Sequence, residues 1–159
     1  MRFVRSPGVI RRQVTAYLIA AGVVGLDLIT KRWAAIQYAD APETIIPGIL
    51  TFRFVENPGA AFSMFEEAGP FLGLAAVIAV GIVAASLGKP RPTHEAVAFG
   101  LIIGGALGNL IDRIARGPGI LDGKVIDWID LRPIPTFNVA DSAITVAVAI
   151  LIIGSWKKD

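Results

Sequence analysis

The chain has 159 residues, enough for one domain of ordinary size and little more. With 54% of its residues hydrophobic and 18% charged, it is too apolar for a disordered chain or an ordinary water-soluble globule. The absence of cysteine excludes disulfides, thiolate nucleophiles and Cys-ligated zinc or iron–sulfur centres, and a net charge of +2 says less than where the charges lie.

Arg2, Arg5, Arg11 and Arg12 precede a first apolar segment at about 13–33, and Ala39-Asp40-Ala41 has the small-residue character of a secretory cleavage site. Asp27, Lys31 and Arg32 separate the apolar run from that site, and Pro42 would fix the backbone where a protease must bind. The segment therefore reads as a retained first helix. Ile49-Leu50-Thr51-Phe52-Arg53-Phe54-Val55 reads as a strand between Pro47-Gly48 and Asn57-Pro58-Gly59, consistent with a small sheet resting on a membrane surface. Residues 69–88 run without a charge for a length that, at ~1.5 Å per residue, crosses a ~30 Å hydrocarbon core. Segments at about 95–115 and 138–156 complete a set of four. The expected fold is an all-α polytopic membrane protein, one membrane-embedded domain over residues 1–159, with a small extracytoplasmic β-containing segment within the outer stretches 34–68 and 116–137.

Eight of the basic residues fall in residues 1–12, 89–95 and 157–159, whereas the two long connections hold Arg53, Arg116, Lys124 and Arg132 among many acids. By the positive-inside rule both termini and the short middle loop face the cytoplasm. Trp33 and Trp128 then fall toward the outer interface and Trp156 toward the inner one.

With that topology the ionisable groups of the spans collect at one depth, near the outer face. Asp27, Thr30 and Lys31 share one helix face, Asn109, Asp112 and Arg113 share another, and Asn138 and Asp141 a third. Membrane carboxylates cost at least ~2.5–3.5 kcal/mol at the bilayer centre, so they mark partners, water-filled cavities or function. For Asp112 and Arg113 the plain reading is interfacial ion pairing or snorkelling. Asp141 lies in the first turn of the fourth helix, where free N–H groups and the dipole favour a carboxylate. Asp127 is embedded in Val125-Ile126-Asp127-Trp128, while Asp122 and Asp130 sit in more polar settings and stand as its rivals. Two carboxylates sharing a site cannot both ionise easily, so a pair of Asp127 and Asp141 would supply one base and one acid for hydrolysis without metal or covalent nucleophile.

Other chemistries find less support. Ser63, Ser86, Ser142 and Ser155 lack a histidine partner, because the lone His94 lies on the cytoplasmic side and reads as a solvated helix-start residue. One histidine and no cysteine argue against a metal site. Gly100, Gly104 and Gly108 repeat at the spacing of close helix packing. The basic residues form no nucleic-acid patch. Two further readings stay open: an ion or proton translocator with a relay of Asp27, Asp112 and Asp141, and a noncatalytic membrane scaffold.

Five stretches give the chain a specific likeness: Asp27-Leu28-Ile29-Thr30-Lys31, Asn57-Pro58-Gly59-Ala60-Ala61-Phe62-Ser63, Gly108-Asn109-Leu110-Ile111-Asp112-Arg113, Val125-Ile126-Asp127-Trp128 and Phe137-Asn138-Val139-Ala140-Asp141. In this order they resemble the bacterial lipoprotein signal peptidases, the type II enzymes. The resemblance implies catalytic aspartates at Asp127 and Asp141, with supporting roles for Asp27, Lys31, Asn57, Gly108, Asn109, Arg113, Asn138 and Ala140. It implies an aspartyl endopeptidase of the bacterial inner membrane that needs no cofactor. Its substrate would be a prolipoprotein bearing a diacylglyceryl-cysteine, cut just before that residue near the outer face, with the lipid left in the bilayer. A monomer is expected. The stretch Arg116-Gly117-Pro118-Gly119-Ile120-Leu121-Asp122 makes the connection to Asp127 longer than is common in that family.

Overall fold

The computed structural model describes residues 7–59 and 69–156. Arg2, Arg5, Lys157, Lys158 and the Ala60 to Ser63 half of the second motif lie outside the described residues. Four helices, α1 (Pro7–Gln37), α2 (Gly69–Ser86), α3 (Thr93–Ala115) and α4 (Val139–Trp156), are each long and apolar enough to cross a membrane. Three strands, β1 (Glu43–Ile46), β2 (Leu50–Asn57) and β3 (Val125–Leu131), form an antiparallel sheet in the order β1-β2-β3.

The helix ends differ from the expected ones, because charged residues inside the helices do not end them. α1 begins at Pro7, whose missing N–H is no loss in a first turn, and runs through Arg11, Arg12 and Lys31 to Gln37. α2 stops at Ser86, two residues before Gly88. The short link to α3 is held by Arg91, whose Nε donates to the Ser86 carbonyl at 2.9 Å and whose Nη1 meets Glu95 at 2.9 Å. Its guanidinium also lies 4.8 Å from the centre of the Phe99 ring. His94 is not the solvated residue expected: its ring packs on Gly154 of α4, where a Cβ would come within 2.6 Å of Cδ2.

α3 is the hub of the bundle, packed against α1, α2 and α4. Glycine makes this possible. A Cβ on Gly100 would sit 2.6 Å from the Ala16 carbonyl oxygen, and one on Gly104 would sit 2.7 Å from Val23 Cβ and 2.8 Å from the Ala20 oxygen. Between two apolar helices in lipid, such contact replaces a hydrophobic driving force with dispersion. Gly104→Ala is therefore expected to destabilise the bundle by about 1–3 kcal/mol, read as a lower melting temperature in detergent. An unchanged melting temperature would contradict this packing.

The sheet caps the end of the bundle where α1 and α3 finish and α4 starts. Trp128 of β3 packs edge-on against Trp33 of α1 and Phe52 of β2, with ring centroids 5.3 and 5.1 Å apart, and Tyr38 closes the cluster. The expected strand at residues 49–55 appears as β2, shifted toward Asn57 and bulged between Phe52 and Val55. That extension sets Val55 opposite Asp127 and Asn57 opposite Val125.

Candidate active site

Two connections deliver the polar residues to one place. At the end of α3 the Gly123 N–H donates to the Arg113 carbonyl at 2.9 Å, closing the long 116–123 loop. Leu121 of that loop fills the notch at Gly73 of α2. The Ile126 N–H then donates to Asp112 Oδ2 at 3.2 Å, which sets the next residue, Asp127, beside α3. Beyond β3 the chain folds back: Ile129 and Phe137 exchange hydrogen bonds of 2.9 and 3.0 Å, so α4 starts next to Asp127.

Asn138 caps α4. Its Oδ1 accepts the Asp141 N–H at 2.9 Å while Asp141 Oδ2 accepts the Asn138 N–H at 3.2 Å, the reciprocal pairing of a capping box. The amide nitrogen of the same side chain donates to Asp127 Oδ1 at 2.7 Å. One residue thus starts the helix and ties the two carboxylates together. Asn57 Nδ2 donates to the other oxygen of Asp127 at 2.9 Å, and its own Oδ1 accepts the Gly59 N–H at 3.0 Å, which orients the amide. Asn109 Nδ2 donates to Asp141 Oδ1 at 2.8 Å.

Asp127 is 3% exposed. Burial pushes its carboxyl up to about 7, the Asn57 and Asn138 hydrogen bonds pull against this, and the nearby charge of Asp141 adds to the rise. Both aspartates face a cleft of about 550 Å³ that Asn57, Asn109 and Arg113 also line, with Phe137 and Val146 among its apolar walls. The Arg113 guanidinium donates to the carbonyls of Pro58, Gly59 and Gly123 at 3.2–3.3 Å, holding the segment after β2 and the segment before β3 at the cleft.

Below the cleft lies a second polar layer. Lys31 Nζ meets Asp27 Oδ2 at 2.7 Å, Asp112 Oδ2 at 2.8 Å and Asn109 Oδ1 at 2.9 Å, with both Asp27 and Lys31 fully buried. Arg116 Nε closes on Asp112 Oδ1 at 2.7 Å. Asp27 Oδ1 accepts the Ala140 N–H at 2.9 Å, across a gap that admits no side chain at Gly108, where a Cβ would lie 2.6 Å from Asp27 Oδ2.

Asp27, Lys31, Asn57, Gly108, Asn109, Arg113, Asn138, Ala140, Asp127 and Asp141 therefore form one contiguous constellation. The two rivals of Asp127 stand outside it. Asp122 accepts the Gly119 N–H inside its own loop, and Asp130 points to the other face of the sheet, 3.5 Å from Arg53. Of the plain reading of Asp112 and Arg113, ion pairing holds for Asp112, which meets Lys31 and Arg116, and snorkelling does not hold: Asp112 is 1% exposed and both residues are enclosed by partners. Asp112 is the member that sequence reasoning left out of the site, and its i,i+4 spacing to the half-exposed Arg116, which lies outside the site, was the available signal.

Fold and cleft together define a multi-pass membrane protein with a carboxylate-lined site at one end of its helix bundle. Residues 19–157 match the family model described as signal peptidase (SPase) II. The chain is 39% identical to the lipoprotein signal peptidase of Rhodococcus jostii over 146 residues, 90% of this chain and 73% of that one. It is 40% identical to that of Chlorobium phaeovibrioides over 151 residues, 86% of this chain and 87% of the relative. A bacterial membrane enzyme structure solved by the in meso method at 1.9 Å superimposes with a TM-score of 0.76 at 32% identity, covering 91% of this chain and 94% of the other. The chain belongs to the signal peptidase II family, and is a membrane-embedded peptidase.

Proposed function

We propose that this peptidase removes signal peptides from prolipoproteins whose cysteine carries a diacylglyceryl group, cutting the bond before that cysteine with Asp127, Asp141 and a water molecule. The observation that carries this reading is a buried Asp127 with its carboxyl raised to about 7, tied through Asn138 to an Asp141 that faces the same cleft. Near neutral pH the pair holds one proton. Asp141, at a helix N-terminus, takes a proton from water as the oxygen attacks the carbonyl carbon, and Asp127 protonates the carbonyl oxygen. When the tetrahedral species collapses, Asp127 recovers its proton from the diol and Asp141 passes the water proton to the departing nitrogen. Asn109 and Asn138 hold the two carboxylates at fixed angles, and Arg113 holds the backbone at the cleft mouth. No metal or other cofactor enters this mechanism.

The charge pattern supports a placement with both termini in the cytoplasm and the cleft near the outer face, where acyl chains remain in the bilayer and the scissile bond reaches the dyad. The test is cleavage of a synthetic diacylglyceryl-cysteine prolipopeptide by purified protein in detergent with a chelator present. A folded protein that fails to cleave would overturn the reading, and ion flux in proteoliposomes would then favour a translocator. The pH profile is a second check. Asp127 must be protonated to act as acid, so kcat is expected to fall as pH rises through about 7, approaching about tenfold per unit above pH 8. A rate that is flat from pH 6 to 9 would contradict the assigned acid.

A further inference from the structure

We infer that Asp112 is a positioning residue for the dyad, acting through two separate contacts: it holds the strand that carries Asp127, and it balances the Lys31 ammonium that orients Asn109 against Asp141. The inference rests on the reading of Asp127 and Asp141 as the catalytic pair. The first contact is the Ile126 N–H on Asp112 Oδ2, one residue before Asp127. This bond joins α3 to β3 directly, so the height of Asp127 over the cleft is set by a side chain that the cleft does not expose. The second contact is electrostatic. Asp27, Lys31, Asp112 and Arg116 form a chain of two anions and two cations in alternation, joined by links of 2.7–2.8 Å. Its net charge is zero. Lys31 then donates to Asn109 Oδ1 at 2.9 Å, alongside the Asn138 amide at 3.1 Å, and the two donors turn the amide nitrogen of Asn109 to Asp141.

The groups that act on Asp127 come from every element around it: Asp141 and Asn138 from α4, Asn57 from β2, Arg113 from α3 and Lys31 from α1, with Asn109 behind Asp141 and Asp27 and Asp112 behind Lys31. Removing one anion from the balanced group leaves Lys31 in excess, and an excess cation favours the ionised form of Asp127. Removing a cation does the reverse. Asp112→Asn keeps an oxygen for the Ile126 N–H but deletes the charge, whereas Arg116→Gln deletes the opposite charge at a residue whose side chain is 37% exposed.

The experiment is the pH dependence of kcat and KM for wild type, Asp112→Asn, Asp112→Glu and Arg116→Gln on the synthetic prolipopeptide, with folding followed by thermal unfolding in detergent. Asp112→Asn is expected to lose about tenfold or more in kcat with KM within about twofold, and its alkaline limb to move about one unit toward lower pH. Arg116→Gln is expected to keep kcat within about threefold at its optimum and to move the limb the other way by a smaller amount, because solvent screens the exposed guanidinium. Asp112→Glu is expected to return the limb to its wild-type position. A folded Asp112→Asn with an unshifted limb overturns the inference, as does a loss of thermal stability alone. Should Asp112→Asn not fold, an Arg116→Gln limb that stays fixed or moves to lower pH overturns it. Turnover retained by Asp127→Asn would instead refute the catalytic pair itself.

Discussion

Asp127→Asn is expected to lower kcat by about 10²–10⁴-fold, the loss that follows removal of a general acid–base group, in a protein that still folds and inserts. The replacement is nearly the same size, and the carbonyl oxygen of the new amide can accept from Asn138 as Asp127 Oδ1 does at 2.7 Å. Its nitrogen would face Asn57 Nδ2, a donor against a donor, so a modest stability loss is expected beside the kinetic one. What disappears is the proton that a carboxyl raised to about 7 supplies at neutral pH. Asp141→Asn should be equally damaging for a different reason, since an amide cannot take the proton of an attacking water. Cleavage of the synthetic prolipopeptide, with size-exclusion profile and melting temperature as controls, decides the matter. Turnover within about tenfold of wild type in either variant would remove that residue from the dyad.

The largest stability effect is expected at Lys31. Its ammonium is the common partner of Asp27, Asp112 and Asn109, at full burial. Lys31→Met leaves two enclosed carboxylates with one fewer cation, and breaking a buried ion pair from one side costs about 3–5 kcal/mol. Asn109 also loses the shorter of the two donors to its Oδ1, keeping the one from Asn138, so activity should fall together with the melting temperature. Adding Asp112→Asn to Lys31→Met removes one of the stranded charges. The double variant should therefore be more stable than the sum of the single losses, a coupling of the kind that contacting residues show. Strict additivity would mean that Lys31 and Asp112 do not interact.

The chain announces its four spans through composition, and Asp127 through the apolar residues on either side of it. Both signals are local: a run of uncharged residues, and a carboxylate within Val125-Ile126-Asp127-Trp128. The capping partnership of Asn138 and Asp141 is legible in the same way, as an Asn followed three residues later by an acid at a helix start. β1 gives no such signal, because Glu43-Thr44-Ile45-Ile46 is short and exposed along its whole length and is a strand only through its pairing with β2. Asp112 is opaque for a deeper reason. Within α3 it looks like one half of a helix-surface pair with Arg116, and nothing nearby in sequence says that Lys31 arrives from one side and the backbone of Ile126 from the other. Long-range convergence of this kind follows from glycine-mediated contact between α1 and α3, which sequence shows as spacing but not as a partner.

The ion pairs within single helices bear on biogenesis. Asp27 has Lys31 one turn further along α1, and Asp112 has Arg116 four residues on, at the cap just past the end of α3, so each carboxylate reaches a cation without help from another helix. During membrane insertion each segment can leave the translocation machinery with its acid already neutralised, which lowers the cost of releasing a charged helix into lipid before its neighbours arrive. The bonds from Lys31 to Asp112 and Asn109 must wait for α1 and α3 to meet. Assembly thus exchanges two self-contained pairs for a shared network, and the polar floor of the cleft is completed by the docking event that completes the bundle.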